Sequence, residues 1–509
     1  MSARALLRRG GVPAFALALS ACVVGPAYQR PPLETPPVFR EGDAPAVDVR
    51  AIADLPWWQV FHDEALGALI AEALANNQDL AIALARVKQA MASAGIARAD
   101  YAPAISGAVT GSRSQSSRET IAFGPQFTND YRAAIAASWE VDLWGRVRRG
   151  AEAALADWVS SEEGRRAAIV TLVGEVAEAY FTLRSLDAAL GIVRETTESR
   201  QKTSDLFAKR LSGGVASTLE ASQASADLAE AAAGVPELER QIAQQENAIR
   251  FLLGRAPGPV RRSTGPIDIP PSVPTGIPAT LLERRPDVRA AEADVMAANA
   301  RVGVANAEML PRLDLTALVG VSSADVGHLA NADAALASIG AGLATPVFQG
   351  GKLRANRALA VAKWEESVAS YRRTAQSAFR DVADQLVAVR TLRGVREELE
   401  REVGFLSQSL DLSRSRYEAG LSAYFEVLDA QRRLLPAQLE LTRTIRDQHL
   451  ALVRLYRALG GGWIGGGPGC APPLRPAPVP TLPVASPPPA PPAATASPAP
   501  TVVAPGPAK

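Results

Sequence analysis

The sequence predicts an elongated, duplicated chain that combines membrane-crossing β-strands with long helices arranged as a coiled-coil barrel. Three observations carry this expectation. A helical-hairpin tip occurs twice, as LSRSRYEAGLSAYFEVLDAQ from Leu412 and as LFAKRLSGGVASTLEASQAS from Leu206, with Gly214, Glu220 and Ala224 opposite Gly420, Glu426 and Ala430. Two pairs of short segments alternate with a period of two, and each pair precedes a helical pattern far longer than a globular helix. A repeat this long, with few turn residues inside it, indicates a repeat architecture rather than a compact enzyme domain.

Composition removes several function classes. A chain of 509 residues with a formal charge of +1 has no global field that would favour nucleic acid. Three histidines and two cysteines leave no room for a zinc-type cluster or a disulfide framework, and no cofactor is expected. His62, His328 and His449 lie far apart and match no HExxH spacing. Gly350-Gly351-Lys352 lacks the earlier glycine of a phosphate loop, and the glycine-rich stretch around Trp463 reads as a helix stop. Cys470, in the tail, reads as an inert thiol. The expectation is that the chain is not an enzyme.

In order along the chain, Arg4, Arg8 and Arg9 precede an apolar run from Gly10 to Leu19, followed by Leu19-Ser20-Ala21-Cys22. Residues 1–21 therefore read as a secretory signal, too short for a membrane span. The Leu-Ser-Ala-Cys sequence resembles a bacterial lipobox, which would make Cys22 the lipidated N-terminus, and Val23 after it resembles an outer-membrane address. Residues 22–62 read as a proline-rich arm. A first repeat, 63–253, opens with a helical pattern from Asp63 that fades toward Tyr101 and ends at Pro103.

Strand patterns follow at Ala104 to Ser112 and Tyr131 to Leu143. In the second, Tyr131, Ile135, Trp139, Val141 and Leu143 alternate with Arg132, Ser138, Glu140 and Asp142. Leu313 to Ser322 and Ala337 to Leu343 repeat the scheme. Each segment is close to the 9–11 residues that a tilted strand needs to cross a bilayer. Polar stretches at Arg113 to Asp130 and Ser323 to Ala335 serve as exposed loops. Four strands cannot close a barrel, and open edges are not tolerated in lipid. The strands therefore form either a soluble sheet or one part of a barrel pooled from several chains, and the lipobox favours the barrel.

The long helices run from Gly145 to Leu211 and from Gly351 to about Glu418. A proline- and glycine-rich connector, 254–280, leads into the second repeat, 281–463, where Pro286 marks a helix start with Asp287 in its first turn. Residues 464–509 are dominated by proline and alanine and read as a disordered tail. At the second tip, Ser422 is expected to cap the returning helix. Glu426 and Asp429 lie three apart on one helical face, with Arg432 three residues beyond Asp429 as a compensating charge. Gly214-Val215 and Gly420-Leu421 each set a side-chain-free residue beside an exposed apolar one, a docking surface for a partner helix.

The lipobox, LLERRPDVRAAE at 281–292, the two tips and the terminal ALGGGW together resemble the TolC family of outer membrane factors, in its NodT-like lipoprotein branch, over about residues 22–463. The resemblance implies a homotrimer with a twelve-stranded outer-membrane barrel continuing into a periplasmic helical tunnel. It implies as partners a periplasmic adaptor (membrane fusion protein) and an inner-membrane efflux pump. It matches Glu426 and Asp429 to the family's constriction, where the implied threefold symmetry would stack them as two acidic rings, and Phe425 to a bulky apolar gate position. Tyr417 with Glu220 matches a tyrosine-to-acid link between neighbouring hairpins, and Ser422 replaces an arginine found in some relatives. The expected function is a passive exit duct for drugs or other toxic solutes. A protein-secretion channel and a structural coiled-coil lipoprotein are the alternatives.

Overall fold

The computed structural model describes residues 23–35, 63–119, 125–263 and 283–461. The expectations for the signal, for lipidation at Cys22, for residues 264–280 of the central connector and for the tail from 464 onward lie outside the described residues.

Helix α1 (Glu64–Asn76) starts at Asp63, whose carboxylate accepts from the amides of Ala65 and Leu66. The sequence pattern suggested one helix to about Tyr101, but the chain breaks at Asn77 and resumes as α2 (Gln78–Ala99). Asn77 is extended (φ −63°, ψ 131°); its side chain accepts from Leu80 N and donates to the Leu252 carbonyl. A polar side chain that caps one helix and holds a second competes with helix continuation, which is why hydrophobic periodicity alone ran through it.

Strands β1 (Ala104–Gln115) and β2 (Phe127–Val141) follow. Both extend further into the polar loop than expected. Backbone pairing continues past the apolar alternation, with Arg113 opposite Asn129 and Gln115 opposite Phe127. At its other end β2 stops two residues short of Leu143. There Asp142 leaves the ladder and accepts from the Val147 and Arg148 amides, capping the next helix. That helix, α3 (Arg146–Ser212), and its return α4 (Thr218–Leu252) form the first hairpin.

The second repeat consists of α5 (Pro286–Ala307), β3 (Arg312–Ser323), β4 (Ala335–Ala344), α6 (Lys352–Glu418) and α7 (Tyr424–Ala458). Helices α3 and α6 both span 67 residues, and α4 and α7 both span 35. At 1.5 Å per residue the longer helices reach about 100 Å.

The LLERRPDVRAAE stretch has a packing role. Pro286 is the first helical residue of α5, and the partly buried Arg285 bonds Asp287, Asp381 on α6 and the Ala458 carbonyl at the end of α7. It joins α5 and α7 end to end beside α6. Helices α2 and α4 flank α3 on one side; α5 and α7 lie between α3 and α6. The core between them centres on Tyr180, Leu183, Ile249, Tyr371 and Leu455.

The four strands form one antiparallel sheet in the order β1-β2-β3-β4. Ile105 faces Ala137, which faces Ala317, which faces Ile339; Trp139, Leu315 and Ala341 form a neighbouring row. Odd-numbered residues thus share one face across all four strands, and that face is apolar except at its loop-side end, where Arg113, Gln115, Asn129 and Ser323 fall. The even face carries Ser138, Thr316, Glu140, Asp314 and Arg132. Alternation within each strand was legible in the sequence, but the continuity between strands needed the register.

Candidate gate, tips and duct wall

The two tips have the same backbone. Gly214 and Gly420 both lie at φ 72°. The amides of Val215 and Leu421 donate five residues back, to the Arg210 and Arg416 carbonyls, while Gly214 N and Gly420 N donate to the Leu211 and Tyr417 carbonyls. This pair of bonds closes a Schellman turn, and glycine takes the left-handed position without a Cβ penalty. Val215 is 78% exposed and Leu421 73%.

The returning helix at the second tip starts at Tyr424, with Ala423 rather than Ser422 at the capping position. The common turn length decides this. Ala423 occupies the place of Ser217, whose hydroxyl and Glu220 carboxylate form a complete capping box at the first tip. Ser422 is one residue too early, and its hydroxyl is buried with no protein partner.

Above the turns, Phe207, Ala224, Tyr424, Val427 and Leu428 form a small core that joins the two hairpins. The Phe207 and Tyr424 rings lie 4.4 Å apart between centroids, and Tyr417 packs edge-on to Tyr424 at 5.3 Å. Within the chain the expected Tyr417–Glu220 link is not made. Arg210 Nη1 donates to the Tyr417 hydroxyl at 2.5 Å, and Glu220 is held by Ser217, whose backbone amide and hydroxyl lower its pKa.

Arg432 likewise pairs elsewhere than with Asp429. Its guanidinium donates to Asp227 Oδ1 at 3.0 Å, across the hairpins from α7 to α4. Asp227 is buried, and its backbone carbonyl accepts from the buried Arg200 on α3 at 2.7 Å. Burial, together with the Asp227 charge, pushes the Tyr424 hydroxyl up to about 12. Glu426 lies 3.6 Å from Arg416 on α6, both half exposed. Phe425, Glu426 and Asp429 share one exposed face, beside the buried stripe of Tyr424, Val427 and Leu428.

Sequence reasoning missed Asp227, Arg200, Arg210 and Arg416. A signal for Asp227 was present: it falls between Ala224 and Ala231 on the buried stripe of α4, where a charge requires a partner. Among the described residues, no group of three His, Cys, Asp or Glu side chains could hold a metal ion.

A sheet with an apolar face and a polar face, carried on paired helical hairpins that end in matched tips, defines a subunit of a membrane duct. Residues 69–255 and 277–461 match the family described as outer membrane efflux protein, and the chain belongs to that family. It is 36% identical to outer membrane protein OprJ of Pseudomonas aeruginosa over 458 residues, covering 88% of this chain and 95% of OprJ. It is 32% identical to the cation efflux system protein CusC of Escherichia coli, covering 88% of this chain and 97% of CusC. The open-state structure of the Neisseria gonorrhoeae MtrE outer membrane channel superposes with a TM-score of 0.78 at 29% identity, covering 87% of this chain and 99% of MtrE. The chain therefore has the fold of an outer-membrane efflux channel, as its motifs implied.

Proposed function

We propose that three copies of this chain close into one outer-membrane duct, the passive exit of a tripartite efflux system for drugs or other toxic solutes. The observation that carries the reading is the sheet. Away from its loop-side end its odd face is apolar from β1 to β4, while β1 and β4 leave open edges that hydrocarbon does not tolerate. Pairing β4 of one copy with β1 of the next satisfies both edges. Three copies of four strands make a twelve-stranded barrel, with Trp139 outward and Glu140 toward the lumen, while Asp142, outside the ladder, caps α3.

The helices support the same assembly. On α2, Ile82, Leu84, Met91 and Ile96 are exposed in the single chain, and on α6 at the opposite edge so are Leu359, Phe405 and Leu412. Two apolar edges on a wall of helices are the complementary halves of a heterologous contact, which closes into a ring.

Relatives are named as outer membrane components of solvent, toluene, antibiotic and cation efflux systems. That range supports a duct that is not an enzyme and that receives cargo from an inner-membrane pump through a periplasmic adaptor. The tips carry the adaptor contact. Phe425, Glu426 and Asp429 form the constriction, and Cys22 carries the lipid.

Planar-bilayer conductance of the detergent-extracted protein, with its solution mass, tests the proposal. A mass near three chains and discrete conductance steps are expected. A stable, non-conducting monomer would overturn it.

A further inference from the structure

The described part of the arm, residues 23–35, has no regular structure of its own but lies along α5. Val24 N donates to the Trp144 carbonyl at 3.0 Å, beside the start of α3. Gly25, at φ 124°, meets Gly303 so closely that a Cβ on Gly25 would lie 2.7 Å from the Gly303 Cα. The Pro26 carbonyl accepts from Arg149 on α3 at 3.3 Å and from Asn299 on α5 at 3.0 Å. Further along, the Tyr28 hydroxyl and the Arg30 guanidinium both donate to Glu292, at 3.0 and 2.7 Å. The Tyr28 hydroxyl is pushed well above its ordinary range by burial and by the Glu292 carboxylate.

The spacings fit an extended strand antiparallel to a helix. The five steps from Gly25 to Arg30 cover about 16 Å at 3.3 Å each. The eleven residues back from Gly303 to Glu292 cover about the same at 1.5 Å each.

Among the described residues the opposite face of α5 has no such cover. Asp294, Arg301 and Glu308 are exposed there, along a cavity of about 710 Å³ that α5 shares with α3 and α6. The alanine-rich side chains of α5, including Ala291, Ala298 and Ala305, reach little across that space.

We propose that residues 23–30 form an external strap that fixes α5 in the tunnel wall, with Glu292 as its anchor. The strap is hydrogen-bonded at three levels, to Trp144 just before α3, to Arg149 on α3 with Asn299 on α5, and to Glu292 on α5, and it is packed against Gly303 between them, far from the tips. Its role is to hold the upper wall in register while the hairpins below it are free to move, so a pull on the arm is delivered to α5 and not to the gate. This role does not depend on the chain conducting.

Hydrogen–deuterium exchange on the purified full-length oligomer tests the strap. In the unmodified protein the Val24 amide is expected to be protected. Glu292→Gln, and separately the Tyr28→Phe/Arg30→Gln pair, should speed exchange across 286–307 by about tenfold or more, with exchange at 207–224 and 413–430 unchanged. Combining the two should add little, because they remove the same contacts. Unchanged exchange in α5, fully additive effects, or acceleration at the tips equal to that in α5 would each overturn the proposal. So would exchange of the unmodified arm at the rate of an unstructured chain, a measurement that needs no variant to fold.

Discussion

Arg432 on the last helix donates to the buried carboxylate of Asp227 on the first hairpin, 205 positions away, at 3.0 Å. This bond ties the returning helices of the two hairpins together just above the tips. Only Asp227 is buried; Arg432 is about half exposed. The partners are therefore unequal, and removing one is not equivalent to removing the other.

Arg432→Ala strands a buried carboxylate, whereas Asp227→Ala releases an exposed cation into water. Arg432→Ala should destabilise the hairpin contact by about 1–3 kcal/mol and raise single-channel open probability. Asp227→Ala should open the gate as well but cost less stability, beyond the loss of the small side chain. Electrophysiology and thermal melts on matched preparations check the order; equal open probability in wild type and both variants would dissociate this bond from gating.

The acidic face makes a separate prediction. Glu426 has Arg416 within 3.6 Å, while Asp429 has lost its expected partner to Asp227. In a threefold ring, Asp429 would therefore set more of the cation preference than Glu426. Asp429→Ala should reduce cation-over-anion selectivity more than Glu426→Ala, and the double replacement should reduce it furthest. Reversal potentials in a salt gradient measure this, and unchanged selectivity in the double variant would remove both residues from the constriction.

The duplication, the two hairpins, the strand pairs and the helix start at Pro286 were legible because each rests on a local period or a glycine or proline signal. The pairing of charges at the tips was not. Asp429 and Arg432 are neighbours on one helix, and sequence spacing favours such a pair. The structure gives Arg432 to Asp227 instead, because a buried carboxylate gains more from a cation than an exposed one does. Glu220 shows the same limit. Its use in a capping box with Ser217 is a local pattern visible in SerThrLeuGlu at 217–220, which the expected long-range link to Tyr417 obscured.

The sheet predicts an asymmetric response to charge. Ile135 lies on the apolar odd face, opposite Val319, whereas Thr316 lies on the even face, opposite Ser138. Ile135→Arg should block membrane insertion, at about 2–4 kcal/mol for an arginine near the bilayer midplane. Thr316→Arg should insert and alter conductance only. Heat-modifiable mobility of outer-membrane fractions distinguishes the outcomes, and equal insertion of both variants would contradict an outward odd face.

Lipidation of Cys22 is supported by where its neighbours dock. The Val23 side chain packs on Gly145, and Val24 bonds Trp144, at the base of the strands where a membrane surface would begin. Several acyl chains give stable anchoring where one is marginal. Intact-mass measurement should find the mature chain beginning at an acylated Cys22. Cys22→Ser should lower abundance more than unit conductance, since the barrel supplies a second anchor; an unmodified N-terminus in the wild type would refute the modification.

The tips allow a test in which bulk and strain are separable. A Cβ placed on Gly214 or Gly420 meets nothing within 4 Å, so a large side chain there projects away from the fold and into the space a partner would occupy. The left-handed backbone costs about 1–2 kcal/mol for any non-glycine residue, alanine and tryptophan alike. Gly214→Ala/Gly420→Ala therefore carries the strain alone, and Gly214→Trp/Gly420→Trp carries strain plus bulk. If Val215 and Leu421 anchor an adaptor helix beside those glycines, the alanine pair should retain most export and the tryptophan pair should abolish it, at equal oligomer abundance and membrane insertion. Drug susceptibility of cells expressing each pair, with site-specific crosslinking at Val215 to detect the adaptor, reads both effects. Export by the tryptophan pair at the wild-type level would exclude the tips as the docking surface, and equal loss in both pairs would assign the effect to the backbone.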